Sequence, residues 1–364
     1  MQFDETCLRT YLESRFGKAA EISGVRPLTG AGGSLDALKQ FGYGRPFLVS
    51  CNIGGTEHRL VFHRIRPNAF GREREEDRVA AVWLDFNTFG RLPRHVPAVD
   101  MIVRTRAGEL KSIGDAQEML LVTDYRDGRL YAEDLARIRD GSGAAEPDLL
   151  RARRLGLYLA EIHSHKKEDP ALWRRRLRDL IGHGEGIMGL TDSYAADQTY
   201  VPPAYFQEIE EAANRWRWRL KPLGCRLSQV HGDFHPFNIL FGESDEFWVL
   251  DRSRGEWGEP ADDVSCLSIN YLFFSLQRFG RLEGPFADLH EAFWSAYSEA
   301  APDEGLAEAI QPWLAWRALV LASPVWYPSL DDAIRVKLLR FARRVLDLQR
   351  YDASQVNRYM EPSS

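Results

Sequence analysis

The sequence predicts an α+β fold with its strands early and its helices late. Three observations point there. Up to about residue 122 the apolar residues fall in short runs bounded by Gly and polar turns, the mark of strands. After residue 147 they recur every three or four positions over long stretches, the mark of amphipathic helices. Between residues 239 and 250, two short apolar runs flank Gly242-Glu243-Ser244-Asp245, which has the composition of a hairpin turn.

In chain order, residues 4–16 read as a helix with Leu8, Tyr11, Leu12 and Phe16 on one face. Two glycine-rich stretches follow, Thr29-Gly30-Ala31-Gly32-Gly33-Ser34 and Phe41-Gly42-Tyr43-Gly44-Arg45, either of which could let backbone N–H groups approach phosphate oxygens or be a plain turn. Residues 47–51 form a strand, 52–57 its turn and 59–65 the next strand. Alternation puts Val61, His63 and Ile65 on one face of that strand, with Phe62 and Arg64 on the other. Residues 71–84 read as a helix with an acidic start, and helical spacing turns Glu75 and Glu76 inward beside a stripe of Val79, Val82 and Trp83. Met119-Leu120-Leu121-Val122 has the character of a buried strand, broken by Thr123-Asp124-Tyr125-Arg126-Asp127-Gly128.

The second half is expected to be mainly helical. Leu155, Leu159 and Ile162 share a helical face, and residues 205–221 form another amphipathic helix rich in Trp. The basic cluster Trp173-Arg174-Arg175-Arg176-Leu177-Arg178 reads as a solvated helix face. Trp294, Trp313, Trp316, Trp326 and Tyr327 are mostly core, and a last helix runs from about Asp331 with Ile334, Leu338, Phe341 and Val345 inward.

The chemistry is concentrated in His231-Gly232-Asp233-Phe234-His235-Pro236-Phe237-Asn238 and in Asp251, thirteen residues further on. The hairpin between them brings Asn238 and Asp251 to one end. A carboxylate beside an amide oxygen can share a hard divalent cation, normally Mg²⁺ beside phosphates. Asp233, in the loop that feeds the hairpin, can reach an incoming hydroxyl. His231, Gly232, Asp233, His235 and Asn238 match the His-Gly-Asp-x-His-x-x-Asn motif of the aminoglycoside phosphotransferase and choline kinase-like family, which the chain resembles. Asp251 matches that family's metal-binding Asp. Gly258-Glu259-Pro260-Ala261-Asp262-Asp263 matches its trailing Gly-(Asp/Glu)-Pro-x-x-Asp, with Asp263 holding the catalytic loop.

The resemblance implies a protein-kinase-like two-lobed fold: a nucleotide-binding lobe over residues 1–122, a hinge at 123–128 and a larger helical lobe over 129–364. It implies transfer of the γ-phosphoryl of ATP (or GTP) to a hydroxyl of a small molecule, with Asp233 as base and Mg²⁺ on Asn238 and Asp251. The second glycine stretch is preferred for the nucleotide, giving Gly42 and Gly44, because Leu38 and Phe47 resemble the family's strand spacing. The family's Lys on the third strand is missing. His63 is preferred over Arg64 as its replacement, with Glu76 (or Glu75) as its partner. Thr123 and Tyr125, in the hinge, are expected to meet adenine. His163 matches a histidine common in the family and is expected to be structural.

Other departures bear on the alternatives. Asp251-Arg252-Ser253 replaces the protein-kinase Asp-Phe-Gly, and no Ala-Pro-Glu follows, which disfavours a protein kinase. The missing Lys and altered glycine loop motivate a catalytically weak or silent nucleotide-binding relative as a further alternative. Glu256, Glu259, Asp262 and Asp263 would suit a cationic acceptor such as an aminoglycoside or amino alcohol, with sugars and nucleosides equally open. A net charge of −6 argues against nucleic acid as a partner. The absence of any apolar run of about 18 residues argues against a membrane span. Four scattered cysteines without metal-ligand spacing suggest reduced thiols and a cytoplasmic location. The sequence does not indicate an oligomeric state.

Overall fold

The computed structural model describes residues 4–27, 46–243, 246–301, 303 and 305–362. The chain divides into two compact units, Met1–Thr123 and Asp124–Ser364. The fold is α+β, with small antiparallel sheets and a majority of helix.

In the first unit, α1 (Glu5–Phe16) begins where the Asp4 side chain accepts the Thr6 N–H and ends at Gly17, whose φ of 64° is left-handed. Its Leu8, Tyr11 and Leu12 are buried. They face a three-stranded sheet in the order β1 (Ala20–Pro27), β2 (Phe47–Ile53), β3 (Thr56–Phe62). Its small core joins Tyr11, Leu12, Ala20, Cys51 and Ile53, with Leu60 and Phe62 packed against them. The third strand stops at Phe62, not at Ile65, because the β2 ladder ends at the Phe47–Phe62 pair. Beyond it, α2 (Glu75–Thr88) buries no residue, so the inward stripe expected of it is not formed. A hairpin of β4 (Ile102–Arg104) and β5 (Leu110–Ser112) is tied to α1 through Asp100, which accepts from Tyr11 Oη at 2.8 Å and Ser112 Oγ at 2.9 Å. Residues 119–122 are not a buried strand: all four are exposed, Leu121 and Val122 at 90%. Apolar character makes a strand only where a ladder neighbour exists, and among the described residues this run has none.

The second unit opens with β6 (Arg129–Leu130) and continues through α3 (Tyr131–Arg137), α4 (Glu146–Ser164), α5 (Pro170–Gly182), α6 (Ile187–Asp192) and α7 (Pro203–Leu220). Then come β7 (Ser228–Gln229), β8 (Ile239–Phe241), β9 (Phe247–Val249) and β10 (Trp257–Gly258). The helices α8 (Pro260–Phe279), α9 (Pro285–Ala300), α10 (Leu306–Ala309), α11 (Gln311–Ala322) and α12 (Asp332–Val345) complete it. One large apolar cluster runs through these helices, with α8 buried continuously from Pro260 to Leu276. Trp313 and Trp316 are core, as expected, whereas Trp326 is 60% exposed, and Trp173, read as part of a solvated face, is buried. The basic cluster of α5 is not wholly solvated: Arg176 is buried and donates to the Arg254 carbonyl, because its face of the helix looks into the unit.

Helices α4 and α9 pack closely at Gly156, where an added Cβ would lie 2.7 Å from the Phe293 carbonyl oxygen and 3.1 Å from the Tyr297 nitrogen. Those obstacles are backbone and cannot swing away. Gly156→Ala is therefore expected to cost about 1–3 kcal/mol through overpacking. The urea midpoint of the purified variant checks this, and an unchanged midpoint would mean that the helix pair can spread freely.

Candidate active site

Two pieces of local pairing build the site. Trp257 pairs with Gln229 and Gly258 with Ser228, setting the start of α8 against the loop that begins at Val230. The Asp263 carboxylate there accepts the N–H groups of His231 (2.8 Å) and Gly232 (2.7 Å) and meets His163 Nε2 at 3.1 Å. Gly232 has a φ of 88°, a conformation that a side chain would strain. Burial pushes the Asp263 carboxyl up, but these donors outweigh it and hold the group below its ordinary value. His163 also meets Tyr297 Oη at 2.9 Å, so this buried imidazole is locked in place.

The second piece is the hairpin. Ile239 pairs with Val249, Leu240 with Trp248 and Phe241 with Phe247, and Leu250 N–H donates to the Asn238 carbonyl at 2.8 Å. This register brings Asn238 and Asp251 to the same end. The Asn238 amide nitrogen donates to the Asp233 carbonyl at 3.1 Å, which commits its amino side and leaves Oδ1 available. Asp251 stands exposed at a φ of 52°, with no hydrogen bond or ion pair among the described residues. No group of three or more His, Cys, Asp or Glu able to hold a metal exists among the described residues. One carboxylate and one amide oxygen nonetheless fit Mg²⁺, which keeps waters and takes substrate phosphates for its other positions.

Asp233 sits among cations. Its Oδ1 lies 2.7 Å from Arg317 Nη1 and 2.7 Å from Arg254 Nη1, and Oδ2 lies 3.6 Å from His235 Nε2. Burial raises the carboxyl, yet Arg317, Arg254 and His235 more than offset this and bring it down to about 2. His235 is itself lowered, by burial above all. Arg317 is buried, and besides Asp233 it grips Asp262 and the Gly232 carbonyl.

The acidic stretch thus has a different job from binding a cation. Glu259, Asp262 and Asp263 are all fully buried, held by Arg226, by Arg317 with Arg176, and by His163 with the loop amides. Only Glu256 of the four is exposed. The expected nucleotide contacts are placed less specifically. Gly42 and Gly44 lie outside the described residues. His63 is exposed past the end of β3, with no hydrogen bond or ion pair among the described residues. Glu76 is exposed and meets Arg74 at 3.8 Å, while Glu75 meets Arg78 at 3.7 Å, because α2 has no buried face to turn them inward. Thr123 and Tyr125 lie exposed in an irregular segment.

Sequence reasoning missed Arg254 and Arg317. A signal existed for the latter, since the one charged residue in the mainly apolar α11 needs a buried partner.

Residues 115–313 match the sequence model of the phosphotransferase enzyme family. That stretch is more than half of the chain and includes His163, Asp233, Asn238, Asp251 and Asp263. The fold is α+β, and the family match spans the site residues described above. The chain belongs to the phosphotransferase enzyme family. Among solved structures, it is similar to a glucosamine kinase in complex with glucosamine, ADP and inorganic phosphate (19% identity, TM-score 0.38), covering 57% of this chain and 58% of that one. Another form of glucosamine kinase aligns over 88% of this chain and 93% of that one (16% identity, TM-score 0.40). Choline kinase LicA from Streptococcus pneumoniae aligns over 94% and 98% (13% identity, TM-score 0.36). No curated protein matches the chain. No helix among the described residues is long and apolar enough to cross a membrane.

Proposed function

We propose that this protein moves the γ-phosphoryl group of ATP (or GTP) to a hydroxyl of a small molecule. The observation that carries this reading is one constellation in one unit. An ionised Asp233 lies in the loop whose hairpin presents, at a shared end, the Asn238 Oδ1 and an Asp251 carboxylate with no partner among the described residues. Asn238 and Asp251 would hold Mg²⁺, which supplies neutralising charge to the phosphates. At a value of about 2, Asp233 is a weak base in the resting protein, so its first task is to orient the acceptor hydroxyl. Only five residues separate Asp251 from β10, too few for the activation segment of a protein kinase.

Calorimetry with Mg-ATP tests the metal assignment. Asp251→Ala is expected to abolish Mg²⁺-dependent binding, and Asn238→Ala to weaken it less, since an amide oxygen carries no formal charge. An Asp251→Ala protein that bound Mg-ATP as tightly as wild type would remove the hairpin from the site. In the same measurement His63→Ala is expected to weaken binding more than Arg64→Ala, and the reverse order would exchange their roles.

A further inference from the structure

The catalytic loop holds more positive charge than its own fixing requires. Arg317, with a side chain 5% exposed, already spans Asp233, Asp262 and the Gly232 carbonyl. Arg254 sets a second guanidinium on the same Asp233 oxygen from the outer side, with its side chain 20% exposed. Like charges converging on one oxygen repel. Among the described residues, Arg254 and Arg317 both pair with Asp233, and Arg317 and Arg176 both pair with Asp262. Arg254 also donates to the Gly232 carbonyl at 3.3 Å and meets Glu185 at 3.3 Å, but the Glu185 side chain is 57% exposed and its charge is largely screened by water.

The position of Arg254 gives this charge a direction. It lies three residues after Asp251, on a loop pinned to the catalytic loop where Arg252 donates to the Val230 carbonyl at 2.7 and 3.0 Å. The loop leaves the metal-binding end of the hairpin and returns to the catalytic carboxylate. Trp316 lies against both guanidiniums, its ring centre 4.8 Å from Arg254 and 4.0 Å from Arg317. Arg254 therefore links the residue expected to meet phosphates with the residue expected to meet the acceptor.

We propose that Arg254 is a catalytic residue that binds the phosphoryl group as it is transferred. The inference rests on the function proposed above. In the step, the acceptor oxygen bonds to the γ-phosphorus while the bond from phosphorus to the β,γ-bridging oxygen breaks. The electron pair of that bond leaves on ADP, and the hydroxyl proton passes to Asp233. As Arg254 turns from Asp233 to the phosphoryl oxygens, its guanidinium stands where negative charge develops during the transfer. An arginine supplied in this way contributes about 10³- to 10⁵-fold in rate to phosphoryl transfer.

Aluminium fluoride, which with Mg-ADP imitates the planar phosphoryl, tests this without knowledge of the acceptor. Calorimetry should show aluminium fluoride tightening Mg-ADP binding to wild type by about a hundredfold or more. Arg254→Gln should bind Mg-ADP nearly as wild type does and lose most of that tightening. Arg254→Lys keeps the charge but not the planar fork, and should retain part of it. Equal tightening in wild type and Arg254→Gln overturns the proposal, as does its absence from wild type. A wild type that binds no Mg-ADP at all removes the proposed function, and this inference with it. If Arg254→Gln does not fold, Arg254→Lys decides: weakened tightening supports the proposal and undiminished tightening overturns it. Failure of both variants to fold assigns Arg254 to the fold and overturns it as well.

Discussion

Asp233→Asn is expected to lower turnover by about 10²- to 10⁴-fold, the usual contribution of a positioned acid–base group. The substitution keeps an oxygen that Arg317 and Arg254 can grip at their present 2.7 Å. It removes the charge proposed to orient the hydroxyl and receive its proton. Among the described residues, Asp233 and Asp262 are the carboxylates that face the buried Arg317, so some loss of stability should accompany the loss of activity. Turnover per folded molecule is therefore the quantity to compare, with the folded fraction taken from a thermal melt. Turnover near that of wild type would deny Asp233 its role.

Arg317→Leu is the second large effect. Its guanidinium is buried between Asp233 and Asp262 and also satisfies the Gly232 carbonyl. Removing it leaves Asp262, which is fully buried, with Arg176 at 3.5 Å as its remaining cation. Breaking a buried pair from one side costs about 3–5 kcal/mol, read as a fall in the urea midpoint. The pH dependence adds a check. The Asp233 carboxyl is held at about 2 against an ordinary 3.8. Its ionised form is therefore favoured by folding, and that stability is present above pH 4 and lost as pH falls towards 2. The gap between wild type and Arg317→Leu should narrow over that interval. A gap under 1 kcal/mol at neutral pH would mean that Arg317 does not hold the loop.

The parts of the site legible in the sequence are those written in short range. Asn238 and Asp251 sit at the two ends of a hairpin whose strands and turn all lie within fifteen residues, and local pattern was enough to place them together. Arg317 reaches Asp233 from 84 residues away, and no periodicity announces an ion pair between distant segments. Glu259 and Asp262 looked suited to a cationic acceptor because composition does not say which charges are buried with partners, whereas the motif already tied Asp263 to the catalytic loop. Strand β1 was not expected, since Ala20-Glu21-Ile22-Ser23-Gly24-Val25-Arg26-Pro27 buries only its first residue and carries little apolar alternation. Conversely, Met119-Leu120-Leu121-Val122 looked like a strand from composition and lacks the neighbour that would make it one.

The most direct test follows labelled γ-phosphoryl from Mg-ATP to a panel of hydroxyl compounds: an aminoglycoside, an amino alcohol, a sugar and a nucleoside. Wild type and Asp233→Asn should be compared at equal folded concentration. The expected result is a labelled phosphate ester from at least one acceptor with wild type, and a yield at least a hundredfold lower with the variant. Firm Mg-ATP binding by wild type with no labelled ester from any acceptor, or an equal yield from the two proteins, would contradict the account.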